Sequence, residues 1–66
     1  MLPLAAIERI ARKAGAERIS LDAIRELEKI ISDLGLELAR EAADAARHAK
    51  RKTILKEDIR LISGKS

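Results

Sequence analysis

The chain has 66 residues, no cysteine, no Phe, Tyr or Trp, and a formal charge of +3. A monomer this small buries little surface and usually needs a disulfide, a metal or a partner, and the lack of cysteine excludes both a disulfide and a thiolate metal site. The lack of aromatics excludes a stacking platform for single-stranded nucleic acid, and with Val also absent the core must be Ile, Leu and Ala, which favours close helix packing over a sheet.

The first predicted element is a short helix over residues 3–14. Pro3 suits its first turn, where a missing N–H costs nothing. Leu4, Ile7, Ile10, Ala11 and Ala14 recur at helical spacing, and Gly15 suits a left-handed helix end. The apolar start is broken by Glu8 and Arg9, so the charge follows the apolar run, whereas a secretory signal puts it before. No stretch approaches the ~20 apolar residues of a membrane span. The expectation is a soluble intracellular chain with no membrane partner.

Residues 15–19 read as a short connection. Ser20 is the expected N-cap of the second element, with Asp22 at the favourable end of the helix dipole. From Leu21 to about His48 there is no Pro and a single Gly. Ile24, Leu27, Ile31, Leu34, Leu38, Ala42, Ala45 and Ala49 step by three or four, and Ala23, Ile30, Ala39 and Ala46 widen that apolar face. At 1.5 Å per residue the helix is about 42 Å long. Gly35 lowers helix propensity by up to ~1 kcal/mol without ending the pattern, and it is read as marking a close helix crossing.

The basic stretch AKRKT, residues 49–53, breaks the pattern. Thr53 is the expected N-cap of a last short helix, with Glu57 and Asp58 in its first turns and Ile54, Leu55, Ile59 and Ile62 on its apolar face. Residues 63–66 read as a frayed end. The whole is a single all-α domain, 1–66, of short, long and short helices. Two short helices cover only part of the long one. The rest of its apolar face calls for protein, and a second copy crossing near its middle is the economical answer.

Charge is unevenly spread. Residues 1–20 hold four basic and two acidic groups, residues 21–44 three and seven, and residues 45–66 seven and two. An acidic middle between basic ends suits a polyanion met by the two ends brought together.

Two segments carry a resemblance. PLAAIERIARKAGAERIS, residues 3–20, is similar to the opening helix and first loop of the archaeal histones, and RHAKRKTILKEDI, residues 47–59, to their second loop and last helix. The resemblance implies a histone fold in an intertwined handshake dimer. It further implies association into tetramers or filaments, and double-stranded DNA wrapped outside through phosphates and the minor groove. It implies also that the partner copy is a second identical chain or a paralogue and that the location is the cytoplasm, on the chromosome. By this resemblance Arg9 contacts phosphate, Arg18 enters the minor groove, and Lys52 and Thr53 meet DNA beside it. Arg51 and Asp58 form a loop-fixing ion pair, and His48 belongs to the dimer–dimer contact, facing Asp58 of a neighbouring dimer. Three departures stand out. Lys50 occupies a position where members often carry glycine, and Ala45 one where leucine is common in the dimer–dimer contact. The tail LISGKS lacks a basic cluster. The first favours DNA binding, whereas the other two weaken tetramers and affinity.

The residues also have plainer readings. Arg18 alone is an ordinary surface arginine, and Arg12 and Lys13 a solvated helix face or a DNA-facing one. The run Lys50, Arg51, Lys52 is a charged loop or a phosphate site, in which the free N–H groups of Ile54 and Leu55 would point outward. The Arg51–Asp58 pair is expected to be exposed, adding only ~0.2–1 kcal/mol. His48, the single histidine, also fits a helix-end cation. No nucleophile–base pair, metal motif or glycine-rich phosphate loop is present, so no catalysis, metal or cofactor is expected. Two alternatives are a sequence-specific helical regulator and a protein–protein assembly module. Against the first, the chain has no Asn or Gln to read base edges; against the second stands the loop basicity.

Overall fold

The computed structural model describes residues 2–64. Within them the regular elements are helices: α1 (Leu4–Lys13), α2 (Leu21–His48) and α3 (Lys56–Ser63). The chain is all-α, in the short, long, short order of the histone fold. Among the described residues no helix is long and apolar enough to cross a membrane. Of the frayed end expected at 63–66, Lys65 and Ser66 lie outside the described residues.

The helix ends follow local chemistry. Pro3 is the N-cap of α1, not part of its first turn. Its backbone is extended (φ −61, ψ 135), and its carbonyl accepts from the Ala6 N–H at 3.1 Å. A proline fixes φ alone, and the extended ψ puts it one position outside the helix. At the other end Gly15 N–H donates to Arg12 O at 3.0 Å and Ala16 N–H to Ala11 O at 3.1 Å, with Gly15 at φ +104. This paired closure needs a left-handed residue, which glycine takes without a Cβ clash.

Ser20 caps α2: its Oγ accepts from Ala23 N–H at 3.1 Å and its carbonyl from Ile24 N–H at 3.0 Å. The C-terminal end repeats the closure of α1. Lys50 N–H donates to Arg47 O and Arg51 N–H to Ala46 O, both at 2.9 Å. The left-handed residue here is Lys50, at φ +60.

Thr53 is not the N-cap of α3. Leu55 is, in extended conformation (φ −106, ψ 164). Its side chain has no oxygen to offer, and Asp58, in the first turn, reaches back to accept from Leu55 N–H at 2.7 Å. The helix therefore starts two residues later than its nearest hydroxyl suggests.

The chain divides into two compact units, one running to Asp33 and one from Leu34. In the first, Ile7, Ala11 and Ile24 are the buried apolar residues, while Leu2, Leu4, Ile10, Leu21 and Ile30 stay exposed. In the second, Ala42 and Ala46 are buried, and Leu34, Leu36, Ile54, Leu55, Ile59 and Leu61 stay exposed. A Cβ built at Gly35 meets nothing within 4 Å, so the close crossing expected there is not made by this chain's own elements.

Candidate nucleic-acid interface

The first loop follows α1. Arg12 holds it in place: Nη2 donates to Glu8 Oε2 at 2.8 Å and Nη1 to the carbonyl of Glu17 at 3.4 Å. Glu8 precedes Arg12 by one helical turn, the favoured order for such a pair. The carbonyl it reaches belongs to the residue before Arg18, which is exposed. Arg9 and Lys13 are exposed on α1 and make no ion pair among the described residues. The Arg12 guanidinium is thus already engaged, unlike the other three candidates of this unit.

The second loop is fixed more firmly. Arg51 and Asp58 meet in a two-pronged pair, Nη2 to Oδ1 at 2.8 Å and Nη1 to Oδ2 at 2.9 Å. Nη1 also donates to the carbonyl of Thr53 at 3.0 Å. Asp58 is the one buried polar residue of the described chain, 5% exposed, so the pair is not the exposed kind expected. Hydrogen bonds from the Arg51 guanidinium and then from Leu55 N–H hold the Asp58 carboxyl down at a pKa of about 2, and Asp58 in turn raises that of Arg51. Because Leu55 N–H is spent on Asp58, it is not one of the free donors expected for a phosphate. Lys50, Lys52 and Thr53 are exposed. Arg47, Arg51 and Lys52 also line, with Ala43, Ala46 and Ile54, an open depression of about 300 Å³.

The third group lies near the end of α2. Ala45 is half-buried and His48 exposed. The His48 Nδ1 lies 2.9 Å from the carbonyl of Asp44 and 3.7 Å from its Oδ2. Within the chain His48 therefore engages Asp44 and not Asp58.

Three features escaped the sequence reading. Leu61, left off the apolar face of α3, is the most exposed large apolar residue at 73%; its position directly before Ile62 was the available signal. Glu8–Arg12 was legible as an i,i+4 pair. Glu28 accepts from Leu2 N–H and from Ser32 Oγ, both at 3.0 Å, and these bonds, in that order, lower its pKa. The Ser32 bond spans one helical turn, but nothing in the sequence announces the Leu2 bond.

The family described as "Histone-like transcription factor (CBF/NF-Y) and archaeal histone" matches residues 1–62. The chain belongs to the archaeal histone family. It is 48% identical over 60 residues to one of the subunits of the archaeal histone HAN1 of Thermococcus zilligii, covering 91% of this chain and 90% of that one. It is 44% identical over 59 residues to probable archaeal histone 3 of Methanocaldococcus jannaschii, covering 89% and 88%. Membership places the chain among histone-fold proteins and not among enzymes.

Proposed function

We propose that this archaeal histone family member binds and compacts duplex DNA on the chromosome as an intertwined dimer, with little sequence selectivity. Family membership supports the general DNA-binding, chromatin role. The observation that carries the finer reading is a device used in both loops. An arginine tied to a carboxylate holds a backbone carbonyl, and an exposed cation stands next to that carbonyl. In the first loop the parts are Arg12, Glu8, the Glu17 carbonyl and Arg18. In the second they are Arg51, Asp58, the Thr53 carbonyl and Lys52. Rigid backing under an exposed cation is what a phosphate or groove contact requires, since less entropy is then lost on binding.

In an antiparallel crossing of two long helices, residue 21 of one copy approaches residue 48 of the other. Arg18 of one copy then adjoins Lys52 and Thr53 of its partner, once at each end of the dimer. Arg18 enters the minor groove, where negative potential draws a guanidinium without base-specific bonds. Lys52 and Arg9 contact phosphates, with Lys13 beside them, while Arg12 serves mainly to hold the loop. The second copy is an identical chain or a paralogue; the Thermococcus relative, by its name one subunit of an assembly, supports keeping both.

Dimer–dimer association through Ala45, His48 and Asp58 is weak without DNA. Ala45 supplies little apolar area, and both oxygens of the buried Asp58 already accept hydrogen bonds. Sedimentation of the free protein at micromolar concentration checks this; a tetramer there removes the limit ascribed to Ala45.

The test of the DNA reading is the affinity of wild type, Lys52→Ala and Arg18→Lys for AT-rich and GC-rich duplexes across a salt series. Wild type binds both, with strong salt dependence from released counterions. Lys52→Ala weakens both duplexes alike and lowers the salt slope by about 1 for each phosphate no longer neutralised. Arg18→Lys keeps the charge, loses the planar fork and costs more on the AT-rich duplex, whose groove is narrower. Equal losses on both duplexes would leave Arg18 as a phosphate contact only. Binding to neither duplex would favour the assembly-module reading.

A further inference from the structure

We propose that His48 makes the dimer–dimer contact a pH switch. The neutral ring serves either its own helix or Asp58 of a neighbouring dimer, and the protonated ring serves both. The proposal rests on the dimer–dimer reading above and adds the protonation state that the contact needs.

The hydrogen-bond roles follow from the partners. His48 Nδ1 lies 2.9 Å from the Asp44 carbonyl. A carbonyl oxygen only accepts, so Nδ1 carries the proton, and in a neutral ring Nε2 is then a bare acceptor. Asp58 offers an acceptor too, since its carboxyl stays ionised down to about 2. Two acceptors cannot bond. A neutral ring therefore reaches Asp58 only by releasing the Asp44 carbonyl and carrying its proton on Nε2 instead. The imidazolium has a donor on each nitrogen. Nδ1–H stays on Asp44, and Nε2–H is free for the neighbouring carboxylate. That carboxylate has room on Oδ1, which accepts from Arg51 Nη2 alone, whereas Oδ2 accepts from both Arg51 Nη1 and Leu55 N–H.

The surroundings isolate this ring as the group that titrates. Asp44 is the carboxylate within 4 Å of it among the described residues, with Oδ2 3.7 Å from Nδ1. Arg47 and Arg51 are tied to Asp44 and Asp58. Lys50 in the loop, and Lys56, Glu57 and Arg60 on α3, are exposed. The sequence has one histidine and no cysteine, so no other side chain ordinarily changes charge between about pH 5 and 8. Forming both bonds takes up a proton. Association therefore tightens as pH falls through the imidazole range.

Sedimentation equilibrium of the DNA-free protein at pH 8 and pH 5.5, up to its highest soluble concentration, tests this. The proteins are wild type, His48→Gln and His48→Ala. A twofold contact holds two such rings, and one hydrogen bond regained at each tightens wild-type association by about fivefold to a hundredfold at pH 5.5. His48→Gln keeps a donor at both pH values, and its association does not change with pH. His48→Ala associates more weakly than wild type at pH 5.5. NMR of the ring nitrogens at pH 8 finds the neutral ring with its proton on Nδ1. Equal wild-type constants at the two pH values, the same pH dependence in His48→Gln, or a proton on Nε2 at pH 8 overturns the switch alone. His48→Ala as tight as wild type at pH 5.5, or no association at either pH, overturns the dimer–dimer reading and the inference with it.

Discussion

Asp58 couples the second loop to pH. Its carboxyl is held at about 2 in the folded chain, against an ordinary value of 3.8. The unfolded chain therefore takes up a proton first as acid is added. The stability that Asp58 contributes is complete above its unfolded pKa and is lost as pH falls through the folded one, that is, between about 4 and 2. Glu28 is lowered in the same sense and loses its contribution on the acid side too, so the two must be separated. Melts of wild type and Asp58→Asn between pH 2 and pH 6 do so. Asp58→Asn is the less stable at pH 6, and the gap closes towards pH 2. A constant gap would mean that the Asp58 charge is not what fixes the loop. Gly15 gives a second test at this scale: a Cβ there meets no neighbour, so Gly15→Ala isolates the cost of φ +104, about 1 kcal/mol of stability lost.

Helix starts separate what was legible in the sequence from what was not. Ser20 could be read because a cap of this kind acts from the residue that precedes the helix. Its hydroxyl accepts from Ala23 N–H as the pattern requires. Thr53 carries the same signal and misleads, because the capping oxygen of α3 comes from Asp58, inside the helix, and reaches backwards. That arrangement depends on Arg51 across the loop, and no local pattern encodes it. The seven-residue separation of Arg51 and Asp58 likewise suggested no contact by spacing, and only the resemblance pointed to it. The long helix, by contrast, was legible almost to the residue, since 28 residues of unbroken periodicity leave little room for error. The two caps make a paired prediction. Ser20→Ala destabilises by about 1 kcal/mol, whereas Thr53→Ala changes stability by no more than about 0.5 kcal/mol. Denaturant melts of both variants check this. Equal losses would return Thr53 to a capping role.

Among the described residues the two units bury three apolar residues in one and two in the other, which is not a core of the size that folding requires, since each ordered residue costs about 1–2 kcal/mol of backbone entropy. The apolar residues needed for a core are present, but they are uncovered. Ile30 and Leu34, one turn apart on α2, are each 54% exposed. The length and periodicity of α2 already implied that two short helices would leave part of its apolar face uncovered; which residues those are follows from packing, not pattern. Covering them with a second copy supplies the missing core, and family membership supports dimerisation in general. Folding and association should then be one event. Dilution should lower the melting temperature and the helicity together, because mass action links the dimer to its unfolded chains. Leu34→Ala tests the same point from within. Each copy loses about 1–2 kcal/mol of apolar burial, and the twofold symmetry doubles it. The dissociation constant should therefore rise roughly thirtyfold to several hundredfold. The salt dependence of DNA binding should stay that of wild type at concentrations where the dimer persists, because Leu34 carries no charge and touches no phosphate. Concentration-dependent melts of both proteins, followed by binding at a concentration above the variant's midpoint, decide the matter. A melt independent of concentration with a monomer mass in solution would mean that the exposed face of α2 is tolerated in water, and the paired-loop DNA surface would lose its basis with it.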